Sequence, residues 1–211
     1  MALYLGSKKI KTYLSEAPLN NANDILNGSF SGEYFSDKLT SLKREAFKDM
    51  KNVTSVSLPN CTIFQGGDTF SKTDNLISVY LPNLTTINDA HYTFLHDKKL
   101  TELELPNLTS VVTGTALCYG ASALTTVKFP KLSGNTIGNS WFNSTALTTL
   151  ILGGDELNPL DNIHAFYKTP IESGTGRIYV PDNLVESYKT ATNWSVFAEQ
   201  IKPISELEEG K

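Results

Sequence analysis

Leu100 to Ala123 reads LTELELPNLTSVVTGTALCYGASA and is one copy of a unit that recurs along the chain. Aligned on their first residues, the copies start at Val53, Leu76, Leu100, Leu124 and Leu147. Their spacings are 76−53 = 23, 100−76 = 24, 124−100 = 24 and 147−124 = 23. They open VTSVSLPN, LISVYLPN, LTELELPN, LTTVKFPK and LTTLILGG. A fixed period in the twenties is the signature of a solenoid, and this one fits a leucine-rich coil of strand, turn and return arm.

Within each copy the first, fourth and sixth residues are apolar: Val53, Val56, Leu58; Leu76, Val79, Leu81; Leu100, Leu103, Leu105; Leu124, Val127, Phe129. Alternation at the fourth and sixth marks a short strand with those side chains inward. The proline that follows ends the strand, because it cannot donate to a ladder. A second apolar set, Ile63, Ile87, Val111 and Ile137, starts the return arm, and Phe70, Phe94, Leu117 and Phe142 close the coil. Stacking these rows buries a continuous core, each Leu or Val contributing roughly 1.5–3 kcal/mol.

Outward from the array, Ser29 to Asn52 reads as a degenerate first coil, with SGEYF as its strand and one or two helical turns over Lys43 to Met50. Before it, Ala2–Leu5 and Ile10–Leu14 are expected to pair around a Gly6-Ser7-Lys8-Lys9 turn. That hairpin either covers the first coil or attaches the protein to a neighbour, another copy or a virion component. Pro18 to Gly28 is a turn-rich loop. Beyond the array, Leu147 to Tyr167 is a looser coil, and Arg177 to Val180 is the last expected strand. Asp182-Asn183 is positioned to cap a helix through LVESYKTA. Trp194 and Phe197 would then lid the open core, and Ser205 to Lys211 forms an acidic tail. The expected organisation is a hairpin segment over 1–28, a repeat array over 29–180, and a helical cap with tail over 181–211.

Composition fits this picture. The chain has 211 residues, 40% hydrophobic and 19% charged, as in a folded domain. A net charge of −4 with no basic stripe argues against nucleic acid as a partner. Cys61 and Cys118 are too few for a disulfide framework and read as small buried groups. The opening MALYLGSKKIKTYL carries its lysines after its apolar run, the reverse of a secretory leader, and no stretch is long enough to span a bilayer. These features point to synthesis in a cytoplasm, with no visible address for general secretion.

The outward strand positions form two columns on a face expected to be concave. One is Ser55, Ser78, Glu102, Thr126, Thr149, Arg177, and the other is Ser57, Tyr80, Glu104, Lys128, Ile151, Tyr179. Coils about 4.8 Å apart allow Glu104 to pair with Lys128. These columns are either a solvated sheet face with an ion pair of little energetic worth or a partner-binding patch. In the second reading Ser57, Ser78, Thr126, Thr149 and Ile151 surround Tyr80 and Tyr179 as aromatic contacts, with Glu102, Glu104, Lys128 and Arg177 as polar ones. Glu102 and Glu104 stand at a spacing glycosidases use for two carboxylates, but on an open sheet without a pocket. His91, His96, Asp89 and Asp97 suggest a metal only weakly and read as exposed turn residues, as does His164. The repeated Asn-Xaa-Thr triplets, such as Asn83-Leu-Thr85, read as turn asparagines bonding neighbouring backbone rather than as glycosylation sites. No nucleophile elbow, phosphate loop, zinc-protease or dinucleotide motif is present, so no catalytic residue, metal or cofactor is expected.

Repeats of the form L-T-x-V-x-L-P-N-L-T-x-I, closed by IYVPDNLVESYKTATNWSVFAEQIKPI, resemble the BspA-like leucine-rich-repeat family of bacteria. The resemblance covers about Ser29 to Ile204. It implies a leucine-rich solenoid and a surface or adhesion role without catalytic residues, through a protein or surface-glycan partner. The opening LYLGSKKIK is similar, more weakly, to the first residues of small structural proteins of phages and prophages. Together these point to a virion-associated binding protein, such as a decoration or tail component. A cell-surface adhesin is the alternative, and a carbohydrate-active enzyme a distant one.

Overall fold

The computed structural model describes residues 31–143 and 145–207, together with the backbone at 4–5 and 8–9. Near the start, β1 (Tyr4–Leu5) pairs antiparallel with β2 (Lys8–Lys9). Lys8 and Lys9 therefore lie in a strand and not in the turn, because a two-residue connection is enough to close such a ribbon. The expected strand at Ile10 to Leu14 falls outside the described residues.

Each of the next four coils contributes one strand to a front face and one to its return arm. These are β3 (Gly32–Phe35) with β4 (Ser41–Leu42), β5 (Val53–Ser57) with β6 (Ile63–Phe64), β7 (Ser78–Tyr80) with β8 (Thr86–Ile87), and β9 (Glu102–Glu104) with β10 (Ser110–Val111). The front face continues with β11 (Thr126–Phe129), β12 (Thr149–Leu152) and β13 (Arg177–Val180). All pairings along the array are parallel. The return arm, expected to be irregular, carries its own continuous ladder β4-β6-β8-β10. Its register aligns Phe64 with Ile87 and Ile87 with Val111, so Phe64, not Ile63, fills the inward place in the first regular coil.

Between the two sheets lies the core. Val53, Leu58, Leu76, Leu100, Leu103, Leu105, Leu124, Val127 and Phe129 are fully buried, as their period requires. At the far corner a third set of rungs runs from Phe47 N–H to Thr69 O, Phe70 to Thr93, Phe94 to Leu117, Cys118 to Trp141, and Phe142 to Ala165. This register stacks Phe47, Phe70 and Phe94 with centroids 5.1 and 5.2 Å apart, and Phe142 on Phe166 at 5.6 Å. Cys118 holds the intervening position. Leu117, assigned to it from the pattern, sits one residue earlier beside Thr93 and Trp141 in register.

Residues on either side of the first three corner aromatics, Phe47, Phe70 and Phe94, take left-handed backbone: Glu45 and Asp49, Asp68 and Lys72, Tyr92 and His96. Consequently Lys43 to Met50 is a corner of this kind and not a helix, since positive φ values interrupt the helical bond pattern.

The C-terminal end departs from expectation in two respects. A short helix, α1 (Val185–Thr190), follows a single 3-10 turn at Asp182–Leu184, and Asp182 accepts from Ser205 N–H instead of capping it. After Trp194–Phe197 the chain returns to the front face as β14 (Ile201–Pro203), pairing with β13 and covering its edge. Trp194 and Phe197 are buried and pack on Phe166 with centroids 5.9 and 5.1 Å away. Asn158, fully buried, pins this cap to the array. Its N–H and Nδ2 both donate to Tyr188 Oη, its carbonyl accepts from Trp194 Nε1, and its side chain bonds Leu132 O and Asn135 N–H. No described helix is long and apolar enough to cross a membrane.

Candidate binding face and the cleft within it

The parallel register brings the two expected columns together on the front face. Ser55 aligns with Ser78, Glu102 with Thr126, Thr126 with Thr149, and Thr149 with Arg177. In the second column Ser57 aligns with Tyr80, Glu104 with Lys128, Lys128 with Ile151, and Ile151 with Tyr179. Ser57 is a correction: it is buried, because its register neighbours Phe35 and Tyr80 are large aromatics that close over a small residue. Thr126, Lys128, Thr149, Ile151, Arg177 and Tyr179 are half-buried, whereas Ser78, Tyr80, Glu102 and Glu104 are exposed.

The charged centre is a bridge of three groups rather than one pair. Lys128 Nζ lies 2.5 Å from Glu102 Oε1 and 3.4 Å from Glu104 Oε2. The hydrogen bond to Glu102, then the charges of both carboxylates, raise the Lys128 pKa. One lysine facing two carboxylates leaves one net negative charge, and at this exposure the bridge contributes little stability.

Sequence reasoning did not find the break in this face. The front sheet is two sheets, β3-β5-β7 and β9-β11-β12-β13-β14, with no ladder between β7 and β9. Elsewhere Ile77 N–H bonds Thr54 O, Leu58 N–H bonds Tyr80 O, and Leu105 N–H bonds Lys128 O. Among the described residues, Leu81 N–H and Ile77 C=O have no such backbone partner toward β9. The same two coils stay joined behind, where Thr86 pairs with Ser110 and Ile87 with Val111. They are joined at the corner too, by the rung from Phe94 to Leu117. The opening is thus confined to the front.

A cleft of about 490 Å³ fills the break. Its floor is Val79, which is only partly buried although Val56, Leu103 and Val127 at the same repeat position are sealed. Ile77, 53% exposed, and Tyr80, 46% exposed, form one rim, and Glu102 and Glu104 form the other. A slightly larger hollow of about 520 Å³ on the return-arm side is lined largely by polar groups such as Thr113, Asn135 and Thr136. Its tryptophan, Trp141, is buried and spends its N–H on Gly114 O.

The remaining candidates do not converge. His91 Nδ1 lies 2.6 Å from Asp89 Oδ1, where the carboxylate also accepts from His91 N–H. His96 instead sets its ring edge-on to Tyr119, and exposed His164 stands edge-on to Tyr167. Among the described residues no three His, Cys, Asp or Glu side chains are grouped to hold a metal. Asp97, expected in an exposed turn, is fully buried: Oδ1 accepts from Thr73 N–H, Oδ2 has no partner, and burial pushes its pKa well above the usual range. Both cysteines are free and buried, and burial raises both thiols, Cys61 to about 11. The turn asparagines bond the preceding coil, Asn60 to Asp37 O, Asn83 to Pro59 O and Asn107 to Pro82 O.

A profile described as BspA type leucine rich repeat region matches residues 26–149 in six copies, more than half of the chain. No curated protein matches it.

Proposed function

Because this chain belongs to the BspA-type leucine-rich-repeat family, we propose that it is a non-catalytic recognition protein that binds a partner through its front strand face. Fold alone does not choose a function, so the weight rests on a site. The observation that carries the reading is the cleft, where exposed Ile77 and Tyr80 stand beside Glu102, Glu104 and Lys128 over the partly buried Val79. An exposed aromatic beside apolar surface is the composition of an interface centre, and charged groups belong to its rim. Catalysis has less support, since Glu102 and Glu104 are exposed and both engaged by Lys128.

The setting we favour is a virion-associated decoration or tail protein, supported by the opening LYLGSKKIK. A bacterial surface adhesin is the second reading, supported by the family. A protein partner is favoured, with a surface glycan as the alternative class. The test is attachment of the labelled chain to bacterial cells and to purified virions, comparing wild type with Tyr80→Ala, Glu104→Lys and a chain lacking residues 1–28. Each face variant should weaken attachment about tenfold or more while leaving circular dichroism unchanged. Normal attachment by the face variants, with loss on removing 1–28, would move recognition to the N-terminal segment.

A further inference from the structure

We propose that the hollow on the return-arm side, where that ladder stops after β10, binds a neutral saccharide through hydrogen bonds. It lies away from the front cleft and does not rest on the reading of that face.

A change of bonding between coils makes the hollow. The ladder β4-β6-β8-β10 ends at Ser110–Val111, and Asn135 of the next coil takes over its edge. Asn135 Oδ1 accepts from Val111 N–H at 2.8 Å, and its Nδ2 donates to Thr109 O at 2.9 Å. An extended chain therefore finds these edge groups already taken. Beyond Asn135 the arm meets the following coil through the isolated Ile137–Leu160 bridge. The space left is about 520 Å³, within the range of small-molecule sites. Its walls come from four successive coils, with His91 from the first and Asp161 from the last.

Unspent hydrogen-bonding capacity lines these walls. The hydroxyls of Thr113, Thr115 and Thr136 have no partner among the described residues, whereas those of Thr62, Thr85 and Thr109 donate to the preceding coil. The N–H groups of Gly114, Thr136 and Gly138 have none either, although Ala90 N–H, one coil before Gly114, bonds Thr113 O. Gly138 is buried, and a buried amide donor without a partner is rare enough to call for one. A side chain at Gly138 would strike Trp141 and Gly114 O, so this backbone stays bare. His91 holds Nδ1 against Asp89, which leaves Nε2 for a ligand. Among the described residues lining the hollow there is no lysine or arginine to hold an anion. Asp161 is their one carboxylate, too few for a hard cation. Val112, 67% exposed, is the apolar side chain on offer, and Trp141 is buried. A saccharide matches this set: it is neutral, and its hydroxyls each donate and accept. A peptide finds neither a free strand edge nor an apolar pocket.

The probes are neutral tetrasaccharides of glucose, galactose and N-acetylglucosamine, titrated into the full chain with amide shifts mapped by NMR. At least one should bind with a millimolar or lower Kd, shift Gly114, Thr136 and Gly138, and raise the melting temperature at saturation. Thr113→Val/Thr136→Val keeps the shape of two exposed side chains and removes two hydroxyls. It should weaken that binding about tenfold or more with circular dichroism unchanged. Asp161→Ala, which loses an acceptor at an exposed position, should weaken it severalfold, while Tyr80→Ala should leave it as it is. Adding a carboxylate to the same sugar should also weaken binding, because Asp161 repels it. Equal binding by the valine variant overturns the assignment. So does the absence of shifts at the hollow with all three sugars, which leaves it to ordered water. Shifts confined to Ile77, Val79 and Tyr80 put the sugar in the front cleft and overturn it too. Tighter binding of the carboxylated sugar overturns the choice of a neutral ligand.

Discussion

Replacing Asp97 with threonine should make the protein more stable at neutral pH and change how stability depends on pH. Asp97 sits at a repeat position that threonine holds in three other coils, Thr73, Thr145 and Thr169. Those hydroxyls donate to the carbonyls of Phe70, Phe142 and Phe166 three residues back, and Thr73 also reaches Phe47 O. Asp97 is fully buried with one oxygen unpaired, and burial raises its pKa, assisted by the charge of Asp74. A carboxyl whose pKa is raised on folding contributes stability that is present below its unfolded pKa, about 3.9. That contribution is lost as pH climbs toward the folded value. The slope is at most about 1.4 kcal/mol per pH unit in that window. Asp97→Thr removes the titration and restores the hydroxyl bond to Phe94 O, while Thr73 N–H keeps Phe70 O as acceptor. At about 2–4 °C per kcal/mol for a chain of this size, each pH unit of that window should separate the melting temperatures of variant and wild type by up to about 3–6 °C, with the gap wider at pH 6 than at pH 4. Thermal unfolding by circular dichroism at those two pH values reads this directly. A difference that does not change with pH would refute a neutral, buried Asp97.

Two further outcomes follow from the core and the cap. Leu103→Asp places a charge at a fully buried position and should lower stability by several kcal/mol, seen as early unfolding in urea; an unchanged transition would contradict the register. Asn158→Ala removes the acceptor for Asn135 N–H and the donor to Leu132 O and Tyr188 Oη, for about 2–3 kcal/mol, while the backbone of residue 158 keeps its bonds to Tyr188 and Trp194. Hydrogen exchange should speed up first at residues 132–135, and unchanged exchange there would show that the side-chain bonds carry no stability.

Much of the fold was legible because a solenoid writes its core as a period. Val53, Leu76, Leu100 and Leu124 are inward in every coil for the same steric reason, and one alignment locates them all. Pattern matching failed where the chain departs from its own repeat. Cys118 and Leu117 are adjacent and both apolar, so only the backbone rungs distinguish which of them occupies the corner aromatic position. Lys43 to Met50 has helix-forming composition, and the positive φ at Glu45 and Asp49 leaves no trace in residue type. Asp97 reads as a turn residue among polar neighbours, yet it inherits a buried threonine position. Of the candidate face, the columns and the Glu104–Lys128 pairing were readable from strand alternation. The cleft was not, because a missing ladder between two regular copies changes no residue in either.

Seen as a one-dimensional array, the described coils lose a ladder at two successive junctions: the front one between β7 and β9, and the return-arm one after β10. In such arrays each unit is stabilised mainly by its two neighbours, and openings begin where that coupling is smallest. The coils starting at Leu76 and Leu100 lack front rungs between them, and there the ring stack ends as Phe94 meets Cys118 instead of another phenylalanine. The buried carboxyl of Asp97 belongs to the same boundary. Across the front break the coils starting at Leu76 and Leu100 are joined by the return-arm ladder and the corner rungs. Hydrogen exchange, mechanical extension and folding should all meet these two junctions as a domain wall.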